Sequence, residues 1–508
     1  MYSQVSHSES TTEDFIISPE ENSSEFLPVS SPPAKHAIHK LASPTVYVPT
    51  QSKPSGEPVL GTDGIRGQVG QLITPQLFYE LGFITGKQLP DGPILIGRDS
   101  RSGGVELMKA ATAGLAKAGR DVWALGLCPT AAIQDIIKRE QVAGGLIVSA
   151  SHNPPNYNGL KVFGHNGEKL GGEPLENINN SLRVEAKESY LCSKFAVQDP
   201  GKVHKRPDLL LNYRQALLDS VEGLHLQYCK VVLDLCWGSA TACGCEVFRD
   251  LGADVNVLHP LPNGREINKG CGTTNLKPLR DAVLDTGSDI GFAFSGDGAS
   301  MLAIDSLGRI VNGDQIMYLL GSALRDSGEL EGNRIIATEM SNLGFEQAWK
   351  LAGGEFMRTN VGDENVRVVM QEFSAGLGGE QNGHILLKRH EYCVDGLLTA
   401  LQVATLLRSR GQTLADWMDQ SYQPYPQKLI NVEGLNPVQL SSWKKFSPLA
   451  EIKAQAEQAL QGRGSVLIRA SNTEPLLRIM VQAIEPGLME FWSQKIENVA
   501  RKLHDFQA

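Results

Sequence analysis

From about Thr62 the chain alternates strand-like and helix-like apolar runs, and it restarts that alternation twice. In the first round "PILIGRDS" (93–100) reads as a buried strand ending in a polar loop. "VELMKAATAGLAKAGR" (105–120) carries helical apolar spacing, "DVWALG" (121–126) is a second strand, and a helix at "TAAIQDIIKRE" (130–140) leads into the strand "GGLIVSA" (144–150). The second round runs through "KVVLDLC" (230–236), a helix near 240–251, "ADVNVLH" (253–259) and the strand "IGFAF". The third runs through "NRIIATEM" (333–340), helices at "FEQAWKLAG" and "ENVRVVMQEF" (364–373), and "GHILLK" (383–388). Such alternation demands helices layered on a largely parallel sheet, so three α/β units in series are predicted. A helix at 395–411 then leads to a unit of another kind, in which two helices flank the strands "GSVLIRA" and "LLRIMVQAI", an α+β arrangement.

A chain of 508 residues is too long for one hydrophobic core, which agrees with several units. The expected domains are 57–205, 206–311, 312–422 and 423–508. Residues 1–56, rich in Ser, Pro, Glu and Thr, have no apolar periodicity and are expected to form a disordered tail. The net charge of −10 argues against nucleic acid or an anionic membrane as main partner, while leaving room for a basic pocket that takes a small anion. Eight scattered cysteines without a CxxC pair fit neither a disulfide framework nor a zinc site, so buried thiols in a reducing compartment are expected. No run is long enough for a membrane span, and the first residues lack the basic and apolar regions of a secretory signal, so the expected location is the cytoplasm.

Four loops, one per unit, hold the chemistry. "SASHNPPNYNGLK" (149–161) places Ser151 after an apolar strand, where strand ends commonly carry functional groups, with Lys161 in the same stretch. "SGDGAS" (295–300) joins two apolar runs and holds one carboxylate, Asp297. "GEQNGH" (379–384) offers Glu380 as an acceptor for hydroxyls or an amine, and His384 as an acid or base near neutrality. "RASNTEPLLR" (469–478) concentrates donors from Arg469, Ser471, Asn472 and Thr473, as a phosphate dianion requires.

Together these stretches resemble the α-D-phosphohexomutases, in order and from about Thr62 to the C-terminus. "ASHNPPxxNGxK" resembles that family's active-serine loop, "GTDGIRG" (61–67) its N-terminal signature, "GRDSR" (97–101) its next one, "GEQNGH" its sugar loop and "RASNTEP" its phosphate loop. The subgroup it is most similar to is bacterial. The resemblance implies four domains around a central cleft, three α/β and one α+β. It also implies a phosphoryl group carried on Ser151, a 1,6-bisphosphate intermediate, and interconversion of hexose 6- and 1-phosphates, glucosamine phosphate foremost. By the same resemblance Lys161, His384 and Arg66 serve catalysis. Glu380, Asn382, Arg469, Ser471, Asn472, Thr473 and Arg478 bind substrate, while Ser151 and Asp297 hold Mg²⁺. Arg98 and Arg101 are expected either as supports for the phosphate or as structural ion pairs. Expected partners are a hexose phosphate and either a second copy of the chain or an active paralogue.

One loop departs. The family's metal loop reads Asp-Gly-Asp-x-Asp-Arg, whereas here only Asp297 remains, with Ser295, Ala299 and Ser300 at the other functional positions. Serine hydroxyls are weak Mg²⁺ ligands and alanine supplies none, so a weakened Mg²⁺ site is expected. Glu364 and Asn275 depart too, where the subgroup usually has Arg and His. Two functions follow: a phosphohexomutase, or a catalytically impaired relative that binds sugar phosphates as a sensor or partner.

Overall fold

The computed structural model describes residues 59–185, 199–471 and 476–505. The expected tail, Cys192, Asn472 and Thr473 lie outside the described residues. The described residues are mixed α/β and build four sheets. In the first, Ile94–Arg98 lies between Val122–Leu127 and Gly144–Val148, parallel to both, and Tyr157–Phe163 returns antiparallel to Gly144–Val148. In the second, Lys230–Asp234 lies between Asp254–Leu258 and Ile290–Phe294, again parallel, and Met301–Asp305 returns antiparallel. In the third, Arg334–Thr338 lies between Glu355–Thr359 and Leu377–Gly379, and Ile385–Leu387 returns antiparallel. The three units thus share one spatial order, second strand, first, third, fourth.

That order positions the chemistry. In each unit the connection from the third strand to the fourth leaves the carboxyl end of a parallel strand, where open α/β sheets bind ligands. Those three connections are 149–156, 295–300 and 380–384. The last sheet is antiparallel throughout, with Leu476–Ala483 between Gln427–Glu433 and Gly464–Ala470. Residues 471–475 join its latter two strands. The first three chemical loops are therefore hairpin connections.

Helices predicted from apolar spacing fall in place at Gly104–Lys117, Thr130–Glu140, Asp363–Glu372 and Ser447–Leu460. The single helix expected near 240–251 is instead a 3₁₀ turn, Ser239–Ala242, and a short helix, Gly244–Asp250, parted at Cys243 by non-helical backbone. The break follows from close packing just before it. A Cβ on Gly238 would lie 2.4 Å from the carbonyl oxygen of Gly296, so this backbone rests directly on the 295–300 loop.

A continuous apolar core joins the three α/β units, while the last sheet packs its own. The helix Gly396–Arg410 is buried along most of its length, as a helix inside a large core must be. Its N-cap, Asp395, accepts from Leu398 N at 3.1 Å and from Tyr213 Oη at 2.8 Å. Burial pushes the Asp395 carboxyl up to about 6, with those hydrogen bonds opposing. Among the described residues no helix is long and apolar enough to cross a membrane.

Candidate active site

Ser151 sits in left-handed backbone at φ 51°, an uncommon conformation for a side-chain-bearing residue and one that persists only where its surroundings enforce it. Here Arg101 does so. Fully buried, it pairs with Asp99 at 3.0 Å and donates to the carbonyls of Ser151 and Asn153, both at 2.7 Å, and to those of Pro154 and Tyr157. Asp99 also accepts from Ser149 Oγ at 2.6 Å, which in turn accepts from Ser151 N at 3.0 Å. Asn268 donates from the other side to the same two carbonyls, at 2.8 and 3.0 Å. Arg101 is thus a structural pair that shapes the loop, and its guanidinium is spent on Asp99 and on backbone. Arg98 donates to the Asp99 carbonyl.

The 295–300 loop meets that serine. Ser151 Oγ donates to Asp297 Oδ1 at 3.2 Å, and Ser295 Oγ to the same oxygen at 2.8 Å. Oδ2 accepts from Lys161 Nζ at 3.0 Å and from Thr130 Oγ1 at 3.3 Å. Thr130 opens the helix Thr130–Glu140, whose N-terminal dipole favours a carboxylate there. Burial works against the charge on Asp297. Lys161, the Ser295 hydrogen bond and the charge of His384 outweigh it and hold the carboxyl well below the usual range.

In the third unit His384 Nδ1 lies 3.1 Å from Glu380 Oε2, and Gly362 N donates to Glu380 Oε1 at 2.9 Å. Burial opposes protonation of His384, but the Glu380 hydrogen bond and the charges of Asp363 and Asp297 prevail and raise it above the ordinary histidine value. His384 Nε2 is buried with no hydrogen-bond partner. Asn382 is exposed; its Oδ1 accepts from His384 N at 3.1 Å, which shapes the turn. Glu364 pairs with Arg367 and Asn275 Oδ1 accepts from Lys277 N, so both residues make local contacts.

Lys169 ties the first unit to the third. Its Nζ bonds Asp63, in the "GTDG" loop, and Asp363 Oδ1 at 2.6 Å. Burial disfavours the Asp363 charge, but Lys169 overcomes it and depresses the carboxyl below its ordinary 3.8. Lys169→Met is expected to destabilise the fold by about 1–3 kcal/mol, since it leaves Asp363 buried without its partner. A group whose folded pKa is depressed stabilises fully above its unfolded pKa and loses that stability as pH falls through the folded one. The wild-type advantage over the variant in urea unfolding is therefore complete above about pH 4 and shrinks on acidification below it.

The phosphate-loop arginines face each other across the last sheet, Arg469 opposite Arg478. Burial, then the neighbouring Arg478 charge, lowers the Arg469 pKa, and its Nε is buried without a hydrogen-bond partner. Two adjacent guanidiniums of this kind call for an anion. Ser471 N donates to the Leu476 carbonyl at 2.9 Å. Between the loops His152 is pushed down to about 3, by burial and then by Arg66 and His384, with Arg478 adding to the effect. Arg66 Nε is buried and unpartnered. Electrostatics thus link Arg66, His384 and Arg478 to the residue beside Ser151. Thr130, Asn268, Ser149 and Lys169 were not read from sequence as part of this site; Asn268 lies within "INKGCGTTN", whose glycines mark a tight turn.

The 295–300 loop does not fit a Mg²⁺ ion. Mg²⁺ takes octahedral oxygen ligands and keeps several waters, so it needs anionic oxygens and room. Asp297 supplies the loop's one carboxylate, and both its oxygens are engaged. Ser295 Oγ is engaged twice, since it also accepts from Ser300 N at 3.0 Å. Ala299 belongs to a buried apolar cluster with Ile336, Val366, Met370 and Leu386. Two other groups among the described residues bring three donor atoms within 4.8 Å of one another: Asp363, Glu380 and His384, and Asp234, His259 and Cys271. Neither includes Asp297.

Models of phosphoglucomutase/phosphomannomutase match three segments: alpha/beta/alpha domain I at residues 57–189, alpha/beta/alpha domain III at 312–425 and the C-terminal domain at 429–495. A phosphoglucosamine mutase of Synechococcus sp. (strain WH7803) is 50% identical over 461 residues, covering 91% of this chain and 98% of that protein. That of Prochlorococcus marinus (strain MIT 9313) is 51% identical over 443 residues, 87% of this chain and 94% of the relative. Among solved structures, a phosphoglucomutase/phosphomannomutase family protein from Burkholderia thailandensis superposes with a TM-score of 0.71 at 21% identity, covering 89% of this chain and 99% of that one. N-acetylphosphoglucosamine mutase of Aspergillus fumigatus, in complex with GlcNAc-6P and magnesium, superposes at 0.57 and 16% identity, covering 89% and 97%.

Proposed function

The chain belongs to the phosphoglucomutase/phosphomannomutase family, and on that premise we propose that it interconverts glucosamine 6-phosphate and glucosamine 1-phosphate through a phosphoserine at Ser151. The observation that carries this reading is the convergence of the Ser151 hydroxyl, Asp297 and Lys161 in one buried group, within electrostatic reach of His384. Phospho-Ser151 gives its phosphoryl to the free C1 or C6 hydroxyl, the 1,6-bisphosphate turns over, and the other phosphoryl returns to Ser151. Glu380 accepts from the sugar, His384 offers its unpartnered Nε2 toward the reacting phosphate, and Arg66 faces it. Arg469 and Arg478 hold the phosphate that is not reacting.

We read the four sheets as the four domains, with limits at 57–205, 206–311, 312–422 and 423–508. Magnesium is typical of the family; in this chain we take the metal loop to bind it weakly at best, for want of free carboxylate oxygens. Nothing in the relatives or in the geometry of the serine loop favours the binding-only alternative.

The test is ³¹P NMR of glucosamine 6-phosphate with the purified full chain and a catalytic amount of hexose 1,6-bisphosphate. Glucosamine 1-phosphate should accumulate to equilibrium; no conversion of it or of other hexose phosphates sinks the proposal. In the same assay Arg469→Met should raise KM by roughly 30-fold or more with a smaller change in kcat, as for loss of one partner in a buried charge pair. An unchanged KM removes Arg469 from the phosphate clamp.

A further inference from the structure

We infer that phosphoryl transfer at Ser151 needs no divalent cation in the 295–300 loop, because the Lys161 side chain holds the place beside Asp297 that such a cation would take. This rests on the mutase reading and deepens it. Three observations carry it, and each concerns a different residue.

The first is Asp297. It accepts from Ser295, Ser151, Lys161 and Thr130, and its residue is 1% exposed. Every residue from Ile290 to Asp305 is buried, so the loop leaves no open face for a hydrated ion. A cation entering there must displace Lys161 from the only carboxylate that touches Ser151 Oγ among the described residues.

The second is Lys161. Its ammonium carries three N–H donors, of which one meets a described partner, Asp297 at 3.0 Å. The residue is 5% exposed. Two N–H groups therefore remain, on a buried ammonium that shares the Asp297 carboxylate with the serine hydroxyl, for the oxygens of a phosphoryl group. Preorganised donors in a site closed to water are the form of charge stabilisation that phosphoryl transfer uses.

The third is Ala299. Its methyl group packs with Ile336, Val366, Met370 and Leu386 of the third unit. The position that would carry a ligand has become part of an apolar interface. Loss of the carboxylate is thus matched by a gain of packing, as expected where the loop is built for use without metal.

The step balances without an ion. The sugar hydroxyl oxygen bonds to phosphorus, the phosphorus–Oγ bond of phospho-Ser151 breaks, and the hydroxyl proton ends on Ser151 Oγ. Lys161 and Arg66 supply positive charge around the group in flight.

The experiment uses the full chain, stripped with EDTA and incubated with glucose 1,6-bisphosphate, with and without added Mg²⁺. Ser151 phosphorylation is followed by intact-mass and peptide mass spectrometry, and Mn²⁺ binding by electron paramagnetic resonance on wild type and Asp297→Asn. We expect phosphorylation rates equal within about twofold with and without the ion, and no Mn²⁺ sites lost in Asp297→Asn. Lys161→Met should slow phosphorylation by about 10²–10³-fold, as removal of one oxyanion-stabilising donor does. Phosphoserine formed only with Mg²⁺, or Mn²⁺ bound to wild type and lost in Asp297→Asn, overturns the inference and leaves the mutase reading standing. No phosphoserine under either condition overturns both. The EDTA arm needs no variant, so a misfolded Lys161→Met or Asp297→Asn does not spare the inference.

Discussion

Arg101→Met is expected to destabilise the protein by about 3–5 kcal/mol, the cost of leaving a buried charge without its partner. Arg101 is 1% exposed and joins the Asp99 carboxylate to four carbonyls of the serine loop. Methionine fills much of the space but donates no hydrogen bond. Asp99 then stays buried with its charge unmatched, and burial already raises its carboxyl above the ordinary value. The loop is held at φ 51° at Ser151 partly by these bonds, so phosphorylation should fail even in protein that remains folded. Urea unfolding measures the first effect and peptide mass spectrometry the second. Asp99→Asn combined with Arg101→Met should lose less stability than the two single losses added, because the partners share one interaction. Additive losses, or a destabilisation below about 1 kcal/mol, contradict the account of the pair.

Ser151→Ala is expected to lower turnover by roughly 10⁴–10⁶-fold, the range seen when a nucleophile is removed from a preorganised site. The Oγ makes a single 3.2 Å hydrogen bond, to an Asp297 carboxylate that keeps its bonds to Ser295, Lys161 and Thr130. The variant should therefore fold, and it should bind hexose 6-phosphate with an affinity within a few-fold of wild type, as measured by calorimetry. Stability and binding retained while chemistry is lost assigns Ser151 to the reaction. A kcat that falls less than about tenfold removes it from that role.

The fold is legible in the sequence where hydrophobic period and motif coincide. The parallel strands Ile94–Arg98, Gly144–Val148 and Lys230–Asp234 are continuous apolar runs because helices or neighbouring units cover them. Helices Pro75–Gln88 and Gly313–Asp326 went unread, although each carries a start signal: Thr74 before Pro75, and the capping box of Asn312 with Gln315. The strand Tyr157–Phe163 was hidden inside a stretch valued for its motif. At the site, the four loops were legible as loops. Their partners were not, because Thr130 reaches the metal loop, and Asn268 the serine loop, from more than a hundred residues away. The metal loop shows the limit most sharply. Sequence reads Ala299 as a missing ligand, whereas packing makes it a core residue, and no local pattern announces an apolar cluster assembled from another unit. Glu364 and Asn275 likewise look like altered chemistry until their partners, Arg367 and Lys277, are seen.

The central claim is that a phosphoryl group shuttles through Ser151, and a single-turnover chase tests it most directly. The full chain is phosphorylated with labelled hexose 1,6-bisphosphate, freed of small molecules and mixed with unlabelled glucosamine 6-phosphate. The account predicts that label leaves Ser151 and appears in glucosamine bisphosphate and then in glucosamine monophosphate. Label that stays on the protein, or that leaves only as inorganic phosphate, contradicts it.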